Sequence, residues 1–379
     1  MLQNIKSLFV LQLVVVFGLF LYSFTQIDLN LTLADSSIWQ SIQGRFMYVG
    51  YYQRPMSMYL YISILFLLFA TYLSFLRLAN RGKLSLKIVF YLIISTIILL
   101  LISYPAFSHD IFNYMFDAKT VIKYNLVPYF VRPLDIVGDP WLNFMRWTHA
   151  PSIYPPLWIL LTLPVYTLGL SKIVLIIINF KLISVASYFF SSYLVLRIME
   201  RINYRYRVSA LIFFALNPLV IIEALVSGHN DIFMMSWALL AFYTAQRFER
   251  ISTLFFLAVA TGIKYVAIAL LPLVLFGARR TLALLLSLAG LLLVLTQREV
   301  QPWYLLWVLP FAALSVDRKI VVYTTVGLSL GLLLRYAPFI YLGHWDSPVS
   351  EYKFWLTVVP TTIGIAVGVY HEIRAKKYI

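Results

Sequence analysis

One stretch of the chain concentrates the side chains that can do acid–base chemistry. It follows an apolar run that ends near Pro105, and its polar members are Ser108, His109, Asp110, Asn113, Tyr114 and Asp117. A carboxylate is costly where a helix leaves a membrane, so its presence there suggests function more than packing. If the chain after Asp110 is helical, Tyr114 and Asp117 fall on its face at i+4 and i+7. We therefore interpret Asp110 as a candidate general base.

The alternative for Asp110 is structural, because an Asp just before a helix caps backbone N–H groups. Capping alone does not explain the neighbouring His109, Asn113 and Asp117. We expect His109 to tune the charge of the site rather than to ligate a metal, since no His, Asp and Glu spacing makes a convincing metal site. The sequence therefore predicts chemistry without a metal or cofactor.

The composition predicts a polytopic membrane protein. Of the 379 residues, 62% are hydrophobic and 12% are charged, whereas a soluble domain carries about 25% charged residues. Cysteine is absent, so a cysteine nucleophile and disulfides are excluded. The net charge of +15 does not indicate nucleic-acid binding, because 18 of the 30 Lys and Arg, with only four of the 15 acids, fall in the short segments that we place inside. That bias follows the positive-inside rule and also favours contact with anionic membrane lipids.

The apolar runs predict an all-α polytopic membrane protein with about 12 transmembrane helices (about 11–13) and both termini inside. Leu8–Phe24 is expected to be an uncleaved first span. The basic residues between Arg77 and Lys87 mark the inner side, so the long first loop at about 105–153 lies outside. Tyr154–Leu170 is predicted to be a re-entrant or interfacial segment that lines a cavity. We expect one transmembrane domain over residues 1–379 and no separate soluble domain.

Within that loop, Trp141–Trp147 is aromatic and apolar enough to lie in the membrane interface. Further along, basic residues at both ends of the run Ile251–Phe276 predict two short helices, with Lys264 in the turn between them at the outer side. Each helix is shorter than a usual crossing, so a single span is the alternative. Lys264 can hold a phosphate as a point charge or snorkel to the interface, and Arg298 and Arg335 have the same alternatives. These residues and the loop collect polar groups on one side of the protein, which fits a polar head group joined to a lipid tail.

The candidate substrate-binding residues all lie on that outer side. They are His109, Tyr114, Asp117, His149, Tyr154, His229, Asn230, Asp231, Lys264, Arg298, Gln301, Trp303, Tyr304 and Arg335. Two of the groups have plainer interpretations. Gly228–Asp231 is also a good tight turn, and Gln301–Tyr304 also fits an aromatic belt.

Taken together, these pieces resemble the GT-C superfamily of integral-membrane glycosyltransferases. The resemblance is closest to the polyprenyl-phosphate-mannose-dependent mannosyltransferases of bacteria and archaea. The matching pieces follow the family's order over roughly Tyr104–Trp307: His109-Asp110 through Asp117-Ala118, Val127-Pro128-Tyr129, Tyr154-Pro155-Pro156-Leu157, Asn217-Pro218 with Gly228–Asp231, Gly262–Tyr265, and Gln301–Trp307.

The resemblance implies transfer of a sugar, with mannose favoured, from a polyprenyl-phosphate donor to a glycan or glycolipid acceptor. It further implies inversion and a site that faces outside a prokaryotic cell membrane. The family's first-loop acid maps to Asp110. Many members have paired acids there, whereas this chain reads Asp110-Ile111-Phe112, which weakens the case for a divalent metal.

The chemistry of such a transfer also suits the residues themselves. Asp110 can take the acceptor proton, and partial desolvation raises the pKa of a carboxyl towards a useful value. Lys264, Arg298 or Arg335 can hold the departing phosphate. Two other classes stay open at this point: a lipid-linked-sugar flippase or transporter, although the inverted repeats typical of transporters are not visible, and an O-antigen-ligase-like membrane enzyme.

Overall fold

The computed structural model describes the backbone of residues 2–376 and the side chains of residues 5–374. Met1 and residues 377–379, the ends of the predicted 1–379 domain, lie outside the described residues. Every regular element among the described residues is helical, which confirms the predicted all-α class. In chain order the α-helices are α1 (Leu2–Ser23), α2 (Ser37–Met47), α3 (Arg54–Asn80), α4 (Leu86–Leu100), α5 (Asp110–Tyr124), α6 (Pro156–Thr167), α7 (Ile173–Ile202), α8 (Arg207–Ala215), α9 (Pro218–Val220), α10 (Asn230–Ala245), α11 (Arg250–Ile263), α12 (Leu273–Phe276), α13 (Arg280–Leu295), α14 (Leu309–Ala313), α15 (Lys319–Leu334), α16 (Tyr336–Leu342) and α17 (Val349–Lys376).

Short helices of other types join these elements. The π-helices are Tyr48–Tyr52 and Ile221–Val226, and the 3₁₀ helices are Phe24–Gln26, Pro133–Asp135, Pro140–Asn143, Tyr204–Tyr206, Tyr265–Leu270 and Pro302–Trp307. Two of them, Ile221–Val226 and Pro302–Trp307, carry or border residues predicted for the site. Tight or wide helical turns of this kind are frequent where a helix is interrupted for function.

The described helices include five that are long and apolar enough to cross a bilayer: Ile5–Gln26, Arg54–Asn80, Ile173–Ile202, Lys319–Leu342 and Val349–Arg374. A sixth candidate is the pair Tyr204–Ala215 and Pro218–Val226, which bends by 46° at its break. Shorter apolar helices, of 10–17 residues, are Leu86–Leu100, Pro156–Thr167, Arg250–Ile263, Tyr265–Phe276 and Arg280–Leu295. The multi-pass class is therefore supported. The count of about 12 spans and the re-entrant role of Tyr154–Leu170 stay predictions, because these helices are shorter than a full crossing needs.

The break after α8 has a local cause in the sequence. Pro218 lacks an N–H group and cannot continue the hydrogen-bond ladder of the preceding helix. The Asn217 side chain accepts a hydrogen bond from the N–H of Leu219 at 2.9 Å, so it caps the next helical segment. The Asn217 amide also donates to the Ser329 hydroxyl at 3.2 Å. The pair Asn217-Pro218 thus ends one helix, starts the next and fixes the new direction against α15.

Two buried tyrosines stabilise this bend. The Tyr188 hydroxyl donates to the carbonyl of Ala215 at 2.7 Å, and the Tyr72 hydroxyl donates to the carbonyl of Phe213 at 3.2 Å. Both carbonyls belong to the last turn of α8, where the helix no longer supplies partners. An unpaired carbonyl in an apolar interior costs several kcal/mol. The tyrosines therefore allow a sharp bend inside an otherwise apolar region.

A second interruption lies at Lys264. Helix α11 ends at Ile263, and Lys264 is extended, with φ −153° and ψ 122°. The chain then continues as the 3₁₀ helix Tyr265–Leu270. Just before the break, a Cβ on Gly262 would lie 2.8 Å from the Leu157 side chain, so α11 approaches α6 closely there. The predicted break at Lys264 is confirmed, and the position of this break on the outer side stays a prediction.

Helices α15 and α17 pack through small residues. Gly327 and Gly331 on α15 face the backbone of α17, and a Cβ on Gly327 would lie 2.3 Å from the carbonyl oxygen of Pro360. Gly364 and Gly368 face α15 in the same way. Glycines four residues apart let two helix backbones approach closely within a membrane. This contact fixes the end of α15, which continues directly into α16.

The stretch Trp141–Trp147 corrects one expectation. Trp141 and Phe144 are buried at 9% and 5% exposure, and the Lys119 ammonium lies 4.0 Å from the centre of a Trp141 ring. Their rings pack into the protein rather than into the membrane interface, because the 3₁₀ helix Pro140–Asn143 turns them towards α5. Trp147, at 55% exposure, is free to lie there.

Candidate active site

Helix α5 begins at Asp110, which is its first residue and not its cap. His109 occupies the cap position and makes no side-chain capping bond, while the N–H of Asp110 donates to the Ser108 hydroxyl at 3.2 Å. The alternative interpretation of Asp110 as an N-cap is therefore wrong, because Ser108 accepts the bond from the start of the helix. The first turn of a helix also favours a negative charge, so this position suits an ionised Asp110.

From Asp110 a row of polar side chains leads into the protein. Its Oδ2 lies 3.6 Å from His229 Nδ1, and His229 Nε2 lies 3.3 Å from Glu223 Oε2. The Tyr336 hydroxyl then donates to Glu223 Oε1 at 3.0 Å. The imidazole stacks on Trp303, with 4.2 Å between ring centres. A carboxylate, an imidazole, a second carboxyl group and a phenol thus follow one another in space.

The backbone that presents His229 depends on a π-helix and a glycine. The π-helix Ile221–Val226 carries Glu223, and Gly228 then adopts φ +73°, a conformation that side chains disfavour. A Cβ on Gly228 would also lie 3.1 Å from the Ile111 side chain. The N–H of His229 donates to the carbonyl of Glu223 at 3.1 Å. The alternative of a tight turn over Gly228–Asp231 is wrong, because Asn230 and Asp231 already belong to α10, and Gly228 and His229 form the short link that precedes this helix.

Lys181 of α7 fixes the end of the same π-helix. Its ammonium is buried and donates to the carbonyls of Leu225 and Val226, the second at 3.0 Å, and to the Ser103 hydroxyl at 2.8 Å. Carbonyls at a helix C-terminus lack partners within the helix and carry partial negative charge. A lysine there satisfies them and joins α7 to the segment that carries Glu223.

A lysine–carboxylate pair lies on the other side of the site. The Lys264 ammonium is 2.6 Å from Asp231 Oδ1, and the Trp307 indole N–H donates to the same oxygen at 2.5 Å. Asn230 Oδ1 accepts from the Tyr114 hydroxyl at 3.2 Å and from Lys264 at 3.4 Å. The structure thereby brings together Asp231, Lys264, Asn230 and Tyr114, which the sequence predicted as site residues.

Exposure distinguishes the members of this cluster. The side chains of Asp110 and Lys264 are 17% and 21% exposed, whereas those of Glu223, His229 and Asp231 are 0% exposed. Burial raises the pKa of Asp110 to about 6, the positive charge of Lys264 opposes this, and the negative charge of Asp231 adds to it. Burial also lowers the pKa of His229 well below its ordinary value, and Lys264 acts in the same direction. The partly exposed side of this cluster, which we call the opening, therefore presents the Asp110 carboxylate and the Lys264 ammonium. The neutral imidazole of His229 lies behind them.

Several buried polar atoms around this opening have no hydrogen-bond partner within the protein. They are His109 Nε2, Asn113 Oδ1, Asn230 Nδ2, Asp231 Oδ2, Glu223 Oε2 and both ring nitrogens of His229. Buried polar groups are nearly always paired, so a concentration of unpaired ones needs an explanation. Donors and acceptors are both present, as the recognition of a polar ligand requires.

A second polar group lies further along α5. The Ser152 hydroxyl donates to Asp117 Oδ2 at 2.6 Å, and burial raises the pKa of Asp117 to about 7. The Tyr154 ring meets that of Tyr114 edge-on, at 4.8 Å between centres, and the Tyr129 hydroxyl donates to the carbonyl of Tyr154 at 2.7 Å. Asp117 and Tyr154 thus extend the site along the predicted face of α5.

The other two cations predicted for phosphate are arranged differently. The Arg335 guanidinium lies 2.5 Å from Glu299 and donates to the Thr357 hydroxyl at 3.2 Å, which ties α15 to α17. Arg298 is exposed and hydrogen-bonds to Tyr304. Of these three cations, Lys264 is the one that lies against the Asp110 cluster.

Three more predicted residues have clear positions. Gln301 precedes the 3₁₀ helix Pro302–Trp307, and Tyr304 stacks on Trp307 at 4.6 Å, so this segment forms an aromatic wall beside the cluster. His149 is exposed, with its ring 6.0 Å from that of Trp147. The structure does not bring His149 into contact with the residues around Asp110.

Sequence reasoning missed Glu223 and Lys181. Each is a charged residue well inside a long apolar run, Glu223 within residues 208–226 and Lys181 within residues 173–196, and the hydropathy of these runs predicts transmembrane helices. An ionisable residue within an apolar span is itself a signal of function. Among the described residues, no group of three or more His, Asp and Glu is arranged to hold a metal ion. Metal-independent chemistry stays a prediction.

The fold and the site define the class first: an all-helical, multi-pass membrane protein in which a carboxylate and a cation lie in one polar cluster. Residues 11–280 match the family described as alpha-(1->6)-mannopyranosyltransferase, N-terminal domain. The match covers well over half of the chain, so the chain belongs to this family and is a mannosyltransferase. No curated protein and no solved structure matches it.

Proposed function

We propose that this enzyme transfers mannose from a polyprenyl-phosphate donor to a hydroxyl of a glycan or glycolipid, with inversion at the anomeric carbon. The observation that carries the proposal is that one carboxylate and one cation of the cluster are partly exposed side by side at the opening. The side chains of Asp110 and Lys264 are partly exposed, and the other carboxyl groups of the cluster, those of Glu223 and Asp231, are fully buried. A displacement of this kind needs one accessible base and one accessible cation.

The bond changes assign a role to each of these two groups. The acceptor O–H bond breaks and its proton goes to Asp110, while the acceptor oxygen bonds to the anomeric carbon. The bond from that carbon to the phosphate oxygen breaks, and its electron pair stays on the phosphate. A base works best when its pKa lies near the working pH, and burial brings that of Asp110 to about 6. Lys264 stabilises the departing phosphate, because it is a preformed positive charge in a partly dry site.

An apolar cavity supports a lipid-linked substrate. It has a volume of about 250 Å³, and its lining includes Phe24, Trp39, Leu101, Tyr104, Val174 and Ile178. These residues belong to α2, to α7 and to the segments that directly follow α1 and α4. Tyr104 connects the cavity in sequence to the Asp110 loop, six residues later. A prenyl chain can lie there and leave its phosphate at the opening.

We further propose that the opening faces the extracytoplasmic side of a prokaryotic membrane. The support is the charge distribution: Arg81, Arg205, Arg247 and Arg318 lie in short basic segments at the opposite ends of the helices from Asp110. Short basic segments stay inside. This topology uses about 12 crossings, so in several of them two consecutive short helices together span the bilayer.

Replacing Asp110 by Asn tests the base. The amide keeps the size of the side chain but cannot take a proton, so transfer should fall by about 10²- to 10⁴-fold. The measurement is mannose transfer from a polyprenyl-phosphate mannose donor by purified enzyme in detergent. In the parent enzyme, kcat/KM should fall as pH drops through about 6, because Asp110 must be ionised.

Asp135→Asn is the matched control. Asp135 lies in the same loop, is exposed and pairs with Arg132, so its loss should leave transfer unchanged. Near-normal transfer by Asp110→Asn, with normal purification behaviour, would reject Asp110 as the base. Asp117 and Asp231 would then be the next carboxylates to test.

A further inference from the structure

Glu223 is a buried carboxyl group that the mechanism above does not use. It lies in the apolar segment Ile221–Val226, its side chain is 0% exposed, and its Oε2 has no hydrogen-bond partner. A carboxyl group in such a place is costly. Its position beyond His229, as seen from Asp110, suggests a role that depends on the imidazole.

The charges in the cluster do not balance if every carboxyl group is ionised. Asp110, Asp231 and Glu223 lie near one another, and the Lys264 ammonium pairs with Asp231 at 2.6 Å. Close carboxylates cannot all be charged without large repulsion, and one of them then keeps its proton. The most enclosed member without a cation is the one expected to do so.

The neighbours of Glu223 on each packed element supply no compensating charge. Tyr336 from α16 donates to Oε1 at 3.0 Å. Tyr61 from α3 donates its hydroxyl hydrogen to the carbonyl of Leu333. Lys181 from α7 gives its hydrogens to backbone carbonyls and to Ser103, and Ser227 adds a hydroxyl. An ionised Glu223 would be a buried charge without a cation partner, which is strongly unfavourable.

We infer that Glu223 is held as an uncharged carboxylic acid and donates its Oε2 hydrogen to His229 Nε2. The atoms already lie 3.3 Å apart. With Nε2 as an acceptor, the neutral imidazole carries its hydrogen on Nδ1, which faces Asp110 Oδ2 at 3.6 Å. Glu223 is then a positioning residue: it sets the tautomer of His229, and His229 orients Asp110.

This inference rests on the proposed role of Asp110 as the base. A hydrogen bond from Nδ1 to Asp110 favours the ionised carboxylate and directs its other oxygen towards the opening. The Trp303 ring, stacked on the imidazole, limits rotation of His229. Contacts of 3.3 and 3.6 Å are long for hydrogen bonds, and catalytic hydrogen bonds commonly shorten when substrate binds.

Two substitutions of Glu223 separate this role from others. In Glu223→Gln the amide N–H can still donate to His229, so transfer should stay close to that of the parent enzyme. In Glu223→Leu the donor is gone, and kcat should fall by about 10- to 100-fold, as for other residues that orient a functional histidine, with little change in donor KM. If Glu223 instead worked as a charged group, Gln and Leu would be equally inactive.

An infrared measurement tests the protonation state without turnover. The parent protein at neutral pH should show the carbonyl stretch of a protonated, buried carboxylic acid, and Glu223→Gln should lose that component. Asp117→Asn is the matched control, because Asp117 also holds a proton near neutrality. Absence of a Glu223-dependent band, or failure of Glu223→Gln to fold where Glu223→Leu folds, would overturn the inference. Retention of the band in an active Asp110→Asn variant would instead reject the proposed base and leave the assignment of Glu223 as an acid standing.

Discussion

Both ends of α5 lie near a lysine–carboxylate pair, and the two pairs differ in how completely they are satisfied. Near its end, Lys119 lies 2.6 Å from Asp139, which also accepts from the Tyr124 hydroxyl at 2.5 Å and from the N–H of Trp141 at 2.8 Å. The Lys119 ammonium also lies over a Trp141 ring. Its side chain is 5% exposed and that of Asp139 is 0% exposed.

The pair near the start of α5 is open. Lys264 is 21% exposed, and Asp231 Oδ2 has no hydrogen-bond partner within the protein. The accessible carboxylate of Asp110 belongs to the same cluster. A pair with all its hydrogen-bonding capacity used inside the protein can only stabilise the fold. A pair with unused donors and acceptors can bind a ligand, and this difference is the reason why we propose the second pair as the functional one.

Removal of the closed pair's cation should have the largest effect on the fold. Lys119→Met leaves Asp139 buried without a cation, and breaking a buried pair costs on the order of 3 kcal/mol. We expect a clearly lower Tm in detergent, measured by thermal unfolding. Any enzyme that stays folded at low temperature should keep its donor KM, since Lys119 lies away from Asp110.

The double variant Lys119→Met with Asp139→Leu is the control for that experiment. Replacing both partners by apolar residues removes the unpaired charge, so most of the lost Tm should return. A donor KM that rises in Lys119→Met while Tm is unchanged would show that the closed pair is functional after all, and the comparison between the two pairs would fail.

Removal of the cation from the open pair, Lys264 and Asp231, should weaken donor binding and leave Tm nearly unchanged. Lys264→Met combined with Asp231→Asn removes the cation without leaving a buried carboxylate unpaired. Loss of a hydrogen bond to a charged group costs about 1.5–3 kcal/mol, so affinity for polyprenyl-phosphate mannose should fall by about 10- to 100-fold. Binding of the labelled donor measures this directly, and Tm should change little.

Lys123→Met serves as the matched control for Lys264, since Lys123 is an exposed lysine near the end of α5. It should bind donor normally. Normal donor binding by the Lys264 and Asp231 double variant would assign Lys264 to membrane anchoring, which was the alternative that the sequence left open.

The positions of the helices were largely predictable, because they depend on local patterns. Apolar runs bounded by basic residues located most of the elements. The break at Lys264 was visible as a charge within an apolar run. These features need no knowledge of distant contacts.

The partners across the helices were not predictable from such patterns. Nothing local indicates that Arg335 pairs with Glu299, or that Tyr336 meets Glu223, since each contact depends on how the helices pack. Glu223 and Lys181 were missed for a different reason: each lies in a run whose average hydropathy predicts a membrane span, and the average conceals one charged residue. The pairing of Arg335 with Glu299 could not be predicted from the sequence, so Arg335 had the same standing as Lys264 among the candidate phosphate ligands.

The smallest expected effect is the contribution of Asp117 to the pH dependence of folding stability. The folded protein holds a proton on Asp117 up to about pH 7, because burial raises its pKa from an ordinary value of 3.8. The unfolded chain releases that proton near pH 4. Folding stability therefore falls as pH rises from about 4 to about 7, and it is level above that. Asp117→Asn removes this dependence while its amide oxygen can still accept from Ser152.

The variant should consequently have a Tm a few degrees above that of the parent enzyme at pH 8, and the difference should shrink as the pH is lowered towards 4. Asp110 has a raised pKa in both proteins, so its contribution cancels in the difference. Asp139→Asn gives the contrast with the closed pair, because partners hold the pKa of Asp139 below its usual range against the effect of burial. Its loss should therefore lower Tm most at neutral pH. If the two substitutions shifted Tm in the same direction at pH 8, the distinction between an isolated carboxyl group and a paired one would not hold along α5.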